Sequence, residues 1–271
     1  MSRRYACGHS DREQRRLELQ ASLYDRITRA VLSAAGLRRG MRVLDIGCGA
    51  GDVSLLAAEL VGARGFVLGV DRSAAPLATA RARARRRGLR HVAFRRAAIF
   101  RLRCERVDAL VGRFVLMHQK QPARLLRAAA RHVRPSGIVA MLESHLVGSV
   151  AGVHSLPHSR MADGFHAAIR RALVRTGAHV DMGLRLRETF LDAGLPEPEL
   201  WLQARVEGGE SAALPRYFGE SLSSLVHADG ARLERRLRAE LGASGGVISS
   251  PLVVGAWCRL QASTASSTPR M

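Results

Sequence analysis

Asp45, Gly47, Gly49 and Gly51 fall at alternate positions in the run Val43-Leu44-Asp45-Ile46-Gly47-Cys48-Gly49-Ala50-Gly51, and a second acid, Asp71, closes the next apolar run, Phe66-Val67-Leu68-Gly69-Val70. Glycines at the end of a buried strand let the chain turn tightly and let a ligand approach bare backbone. A helix beginning near Asp52 aims its free N–H groups at that ligand. A carboxylate about 20 residues further on is placed to accept hydrogen bonds from ribose hydroxyls. These residue types at these spacings describe a nucleoside pocket at the edge of a parallel sheet. The dinucleotide pattern G-x-G-x-x-G needs a glycine at position 52, where the chain has Asp52, a poor neighbour for a pyrophosphate. The observed pattern is D-x-G-x-G-x-G.

The elements that must hold these residues alternate between strand and helix. Strands are expected at 42–45, 66–70, 91–95, 107–111 and 138–142. Helices are expected at 53–60, 74–87 and 122–133, with Gly62, Gly88 and the Pro135-Ser136-Gly137 triplet as stops. Such alternation implies an α/β fold, a doubly wound, mostly parallel sheet with right-handed crossovers. After Glu143 the pattern changes to a segment rich in His, Gly, Ser and Met, with one helix near 165–174. A helix at 184–191, a strand at 199–206, a helical insert at 215–241 and a last strand at 252–259 follow. The seven strands divide the chain into an N-terminal helical segment (1–40), a ligand-binding core (41–143), a helical cap insert (144–182) and the rest of the sheet (183–260), itself carrying a helical insert at 208–245. A Ser/Thr/Pro tail at 261–271 is expected to be disordered.

Ser10-Asp11-Arg12-Glu13 has the form of a capping box and opens the first helix. That helix carries an apolar stripe of Leu17, Ile27, Val31 and Ala34, on which Gln20 and Tyr24 also fall. Two polar side chains on a buried face need partners. They either hydrogen-bond into the core or face the site.

Composition narrows the class. The 271 residues are 47% hydrophobic, enough for one large α/β domain, and no apolar run reaches the length of a membrane span. The N-terminus leads into a charged segment without the apolar core of a signal peptide. Cys7, Cys48, Cys104 and Cys258 are scattered without metal spacing. A reduced, cytoplasmic protein without structural metal is expected. The net charge of +20 is almost all arginine, since Lys120 is the only lysine. Its densest run, from Arg81 to Arg87, reads as one solvated helix face or as an attraction for RNA. Aromatics at 4% leave few platforms for stacking unpaired bases.

The D-x-G-x-G-x-G loop, the acid at Asp71 and the strand order resemble the class I S-adenosylmethionine (SAM) methyltransferases, most closely the small-molecule enzymes of quinone biosynthesis and natural-product tailoring. The resemblance is specific over 41–143 and weaker over 183–206 and 247–260. It implies that Asp45, Gly47, Cys48 and Gly49 hold the methionine part of SAM, that Asp71 binds the ribose and that Arg72 flanks the adenine. Ala98 and Ile99 occupy the loop that meets the adenine edge. Family members mostly have an acid where this chain has Ala98, so adenine N6 recognition falls to backbone carbonyls or to Asp52.

In Val111-Gly112-Arg113-Phe114-Val115-Leu116-Met117-His118, Gly112 would lie close to the sulfonium and Arg113 would meet the methionine carboxylate. His118 either takes the acceptor's proton or caps the following helix. The Asn/Asp-Pro-Pro-aromatic segment of nucleic-acid amino methyltransferases is absent here. The N-terminal helix of this family commonly crosses the mouth of the SAM site, so Tyr24 and Gln20 become candidates at the acceptor, Tyr24 with a catalytic role. Glu143, His145, His154, His158 and His166 lie in or beside the cap, with Glu143, His145 and His158 as substrate candidates. The expected activity is methyl transfer to O, N or an electron-rich ring carbon of a small molecule, such as a bacterial secondary metabolite. The alternatives are an RNA methyltransferase and a non-catalytic SAM-binding subunit.

Overall fold

A computed structural model describes residues 11–147, 154–209 and 211–262. Ser10 of the expected capping box, the side chains of Asp11, Arg12 and Glu13, and most of the expected tail lie outside the described residues, as does the side chain of Leu17.

The central strands are largely buried and mostly apolar because neighbours cover them on both edges and helices cover their faces. β1 (Arg42–Ile46) pairs in parallel with β2 (Phe66–Asp71) and β4 (Val107–Arg113). β3 (Val92–Arg96) extends the sheet beyond β2, and β5 (Val133–His145) adds in parallel to β4. β10 (Leu252–Arg259) runs antiparallel to β5 and to β7 (Glu199–Gln203). The seven-stranded order is β3-β2-β1-β4-β5-β10-β7, the expected α/β architecture.

α1 (Asp11–Ala34) packs on α2 (Asp52–Val61) and reaches β5 and β10. Leu23, Ile27 and Val31 of α1 are buried, and Tyr24 with them. α3 (Ala74–Arg86) covers β3 and buries Leu77, Ala80 and Ala84. Arginines of its basic run bond within the chain, Arg81 to the Phe94 carbonyl and Arg87 to Glu59. α4 (Pro122–Ala130) packs on α6 (Leu186–Asp192).

Three elements depart from the sequence expectation. The fifth strand begins at Val133 and not at 138, because Pro135-Ser136-Gly137 makes an irregularity inside the strand, with Ser136 at φ 60°, where a break was expected. The same strand runs on to His145, so Glu143, Ser144 and His145 belong to the sheet and the cap begins later than 144. The expected strand 199–206 is two strands in different sheets. β8 (Val206–Gly208) joins β9 (Val247–Ser249), which pairs with β6 (Ser155–Leu156) in a second sheet of three strands. The cap is therefore not wholly helical.

α5 (Arg160–Arg175) is the helix of the 144–182 segment, longer at its start than expected because the Ser159 side chain accepts a hydrogen bond from the Ala162 N–H. The later helical insert divides into α7 (Leu214–Val226) and α8 (Gly230–Ser244). His227 closes α7 in the left-handed region at φ 55°, and the Asp229 carboxylate caps α8 by accepting from the Arg232 N–H at 2.9 Å. α7 packs on α8, α5 and α1. Among the described residues no helix is long and apolar enough to cross a membrane.

The seat of α1 on the sheet leaves no room beside Gly255, where an added Cβ would stand 2.6 Å from Val31 Cγ2. Val31 is fully buried and β-branched, so it has few rotamers to retreat into. Gly255→Ala is expected to lower stability by about 1–3 kcal/mol through overpacking, read as a lower urea midpoint at unchanged m-value.

Candidate active site

The turn after β1 requires glycine, since Gly47, Gly49 and Gly51 lie at φ 61°, 51° and 87°. This conformation brings the Gly49 N–H to Asp71 Oδ2 at 3.0 Å, while the Ser73 N–H donates to Oδ1 at 2.8 Å. The Asp71 carboxylate is thus fixed by two backbone donors, and each oxygen keeps a lone pair for a ligand. Asp45, 1% exposed, accepts from Ser54 Oγ at 2.6 Å through Oδ2, while its Oδ1 is buried with no hydrogen-bond partner among the described residues. Burial pushes its pKa up to about 7, against the lowering effect of the Ser54 bond. Asp52 begins α2 and pairs with Arg83 at 2.5 Å, so its charge is already matched.

At the end of β4, Phe114 takes a left-handed backbone, φ 56°, which side-chain-bearing residues adopt only where the surroundings enforce it. Glu143 enforces it. Its wholly buried carboxylate accepts from Val115 N at 2.9 Å, Leu116 N at 2.7 Å and Met117 N at 3.3 Å, and so caps the 3₁₀ turn Leu116–His118. Burial raises its pKa to about 7, opposed by these three bonds. Arg113 reaches back to α1, donating to Thr28 Oγ1 at 2.8 Å, and lies 3.8 Å from both Asp25 and Asp52.

A cavity of about 250 Å³ opens over this turn and the glycine loop. Asp45, Gly47, Cys48, Gly49, Asp71 and Arg113 line one end. Three helices build the other end, each with side chains at i, i+4 and i+8: Arg16, Gln20 and Tyr24 from α1, Phe165, Ile169 and Leu173 from α5, and Tyr217, Ser221 and Leu225 from α7. Tyr24 packs edge-on against Phe114 and Tyr217, with ring centroids 5.5 and 6.2 Å apart. Burial raises the Tyr24 pKa well above its ordinary value. His118 lines the cavity, and burial, with the Arg16 charge, lowers its pKa to about 4.

A family model described as a methyltransferase domain matches residues 37–172. The chain belongs to the class I SAM-dependent methyltransferases. It is 33% identical over 109 residues to a ubiquinone biosynthesis O-methyltransferase of Acinetobacter baumannii (strain AYE), covering 39% of this chain and 44% of that one. It is 37% identical over 115 residues to an arsenite methyltransferase of Aquipseudomonas alcaligenes, covering 39% and 33%. The matched stretches thus span less than half the length of these relatives. The crystal structure of a SAM-dependent methyltransferase from Aquifex aeolicus shares the fold with a TM-score of 0.52 at 16% identity, covering 86% of this chain and 89% of that one.

The residues present fit the methyltransferase cofactor. The orphaned Oδ1 of Asp45 suits an ammonium group, and the two anchored oxygens of Asp71 suit a ribose diol. Other sequence candidates fall elsewhere. Gly112 is walled off from the cavity by packing, since a Cβ there would meet Met141 Cε at 2.7 Å. Arg72 is exposed, and Arg72, Ala98 and Ile99 are not among the cavity walls. Glu143 serves the turn from behind and does not face the acceptor end, contrary to the sequence expectation. His158 lies at the surface, 2.6 Å from Asp163. Sequence reading missed Arg16, the α5 row and the α7 row. Their four-residue spacing was visible, but which face of each helix looked inward was not.

His145 lines a second, small cavity with His154, His166 and Ser250. His154 stacks on His166, centroids 3.8 Å apart, and neither His145 Nδ1 nor His166 Nε2 has a hydrogen-bond partner among the described residues. Burial and the neighbouring His154 lower the His166 pKa from 6.5 to about 3. A histidine whose folded pKa is depressed binds its proton more readily when unfolded, so stability falls as pH drops from 6.5 towards 3. His166→Phe is expected to flatten this part of the stability–pH curve, measured by urea titration at intervals of pH. Glu143→Gln replaces one acceptor oxygen by a donor facing the three N–H groups. A loss of about 1–3 kcal/mol in urea unfolding is expected.

Proposed function

We propose that this methyltransferase moves a methyl group from SAM to O, N or an electron-rich ring carbon of a small molecule, a bacterial secondary metabolite being the fitting class. The carrying observation is the Asp71 carboxylate, set by the Gly49 and Ser73 N–H groups at the mouth of a cavity that continues beneath three helices. In this reading Asp71 holds the ribose, Asp45 the methionine ammonium, and Arg113 contributes positive charge near the methionine carboxylate. The cofactor, when bound, supplies an activated methyl on a sulfonium. The chain's own residues align the acceptor, exclude water and take up one proton.

Burial keeps the two protic candidates uncharged at neutral pH, with His118 at about 4 and Tyr24 raised. His118 then accepts a hydrogen bond and Tyr24 donates one, and neither is a strong base. Alignment supplies the larger share of the acceleration, for which well-oriented systems gain roughly 7–11 kcal/mol. The ubiquinone and arsenite relatives support a small-molecule acceptor. The chain's reduced cysteines among the described residues accord with work in the cytoplasm.

Calorimetric titration tests the assignment. The wild type is expected to bind SAM and not NAD, and Asp71→Ala to bind SAM at least about 10-fold more weakly, since charged hydrogen bonds to the ribose are lost. Unchanged SAM affinity in Asp71→Ala would overturn the pocket assignment.

A further inference from the structure

The helical end of the main cavity has a chemical asymmetry that constrains what it admits. All three carboxylates in the cavity walls, Asp45, Asp52 and Asp71, stand at the glycine-loop end. Among the described residues, the walls contributed by α1, α5 and α7 include the cation Arg16 and no acid. The α5 row of Phe165, Ile169 and Leu173 is apolar, and Phe165 is held flat by stacking on Phe218, centroids 4.1 Å apart and planes 17° from parallel. Across from it the α7 row has one polar interruption. Ser221 stands between Tyr217 and Leu225, is 3% exposed, and its Oγ has no hydrogen-bond partner among the described residues. Buried hydroxyls are nearly always partnered, and a rotation about χ1 turns this one, in a residue that lines the cavity, towards a ligand atom.

We infer that Ser221 is a specificity residue that hydrogen-bonds an oxygen of a flat, apolar, ring-bearing acceptor without positive charge. The inference deepens the methyl-transfer reading and rests on it for the identity of this end of the cavity. The flat Phe165 ring and the Tyr24, Phe114 and Tyr217 rings give an aromatic body faces and edges to pack on. The Ser221 hydroxyl then fixes its orientation, because an apolar slot alone discriminates poorly between orientations and isosteres. Arg16 disfavours an ammonium-bearing acceptor by like charge in a buried setting.

Three probes of one shape separate these contributions: 2-naphthol, 2-methylnaphthalene, in which a methyl replaces the hydroxyl, and 2-naphthylmethylammonium. Their binding to the full chain is followed by naphthalene fluorescence. Wild type is expected to hold 2-naphthol about 10-fold more tightly than 2-methylnaphthalene, the effect of one buried hydrogen bond, and the ammonium compound at least about 10-fold more weakly than 2-naphthol. Ser221→Ala should erase the naphthol preference while leaving 2-methylnaphthalene binding unchanged. Ile169→Trp, which fills the slot, should abolish binding of all three. A naphthol preference that survives Ser221→Ala overturns the inference, as does equal binding of the ammonium probe or no binding of any probe to wild type. SAM calorimetry on the same preparations separates the two readings. Intact SAM binding without the naphthol pattern sinks this inference alone, whereas the naphthol pattern without SAM binding sinks the methyl-transfer reading. Thermal melts of both variants establish that each is folded.

Discussion

Glu143 is buried without any exposed surface, yet it carries a carboxylate whose bonds to Val115, Leu116 and Met117 gather three backbone donors of a turn that no strand or helix would otherwise satisfy. That turn must bend sharply away from the sheet for a cavity to exist, and it bends at Phe114 in an unfavourable backbone region. The ring so displaced meets Tyr24 edge-on, and the preceding Arg113 bonds to Thr28, so the same turn also receives α1. The buried acid therefore connects the sheet, the bend and the helix that covers the cavity. Removing an acceptor of this kind leaves backbone donors stranded, which is why a single buried acid can govern a whole corner of a fold.

Burial also sets the protonation of the side chains around the cavity. Desolvation disfavours whichever form is charged, raising Asp45 and Tyr24 and lowering His118. The helical end of the cavity is consequently a place of neutral hydrogen-bonding groups beside one arginine, whereas the glycine-loop end concentrates acids. An environment of this type rewards alignment and dryness over acid–base strength.

Much of this was legible in the chain. The glycine spacing, Asp71 and the strand–helix alternation sufficed for the sheet and for the glycine-loop turn at its edge, because both depend on local backbone geometry and near-neighbour burial. The i, i+4 pairing of Gln20 with Tyr24 correctly placed them on an inward face. Glu143 was singled out, but its type suggested chemistry when its partners were backbone groups 26–28 residues away, which no spacing rule reveals. The β6–β9–β8 sheet was missed because strands of two or three residues carry no periodicity. Pro135-Ser136-Gly137 was read as a terminator, since turn residues look alike whether they end a strand or bulge it. His145 was assigned to the cap because the change in composition after Glu143 precedes the end of β5 by two residues.

The small β6–β9–β8 sheet draws its strands from two connections of the main sheet, β6 from the one between β5 and β7, and β8 and β9 from the two ends of the one between β7 and β10. Each strand depends on a neighbour from a different stretch of the chain. Exchange of either connection alone would leave the β6–β9 edge unmatched. The walls above the helical end of the cavity thus rest on discontinuous stretches of the chain. What that end admits is more readily altered through point changes on the inward rows of α1, α5 and α7 than through transplantation of a single connection.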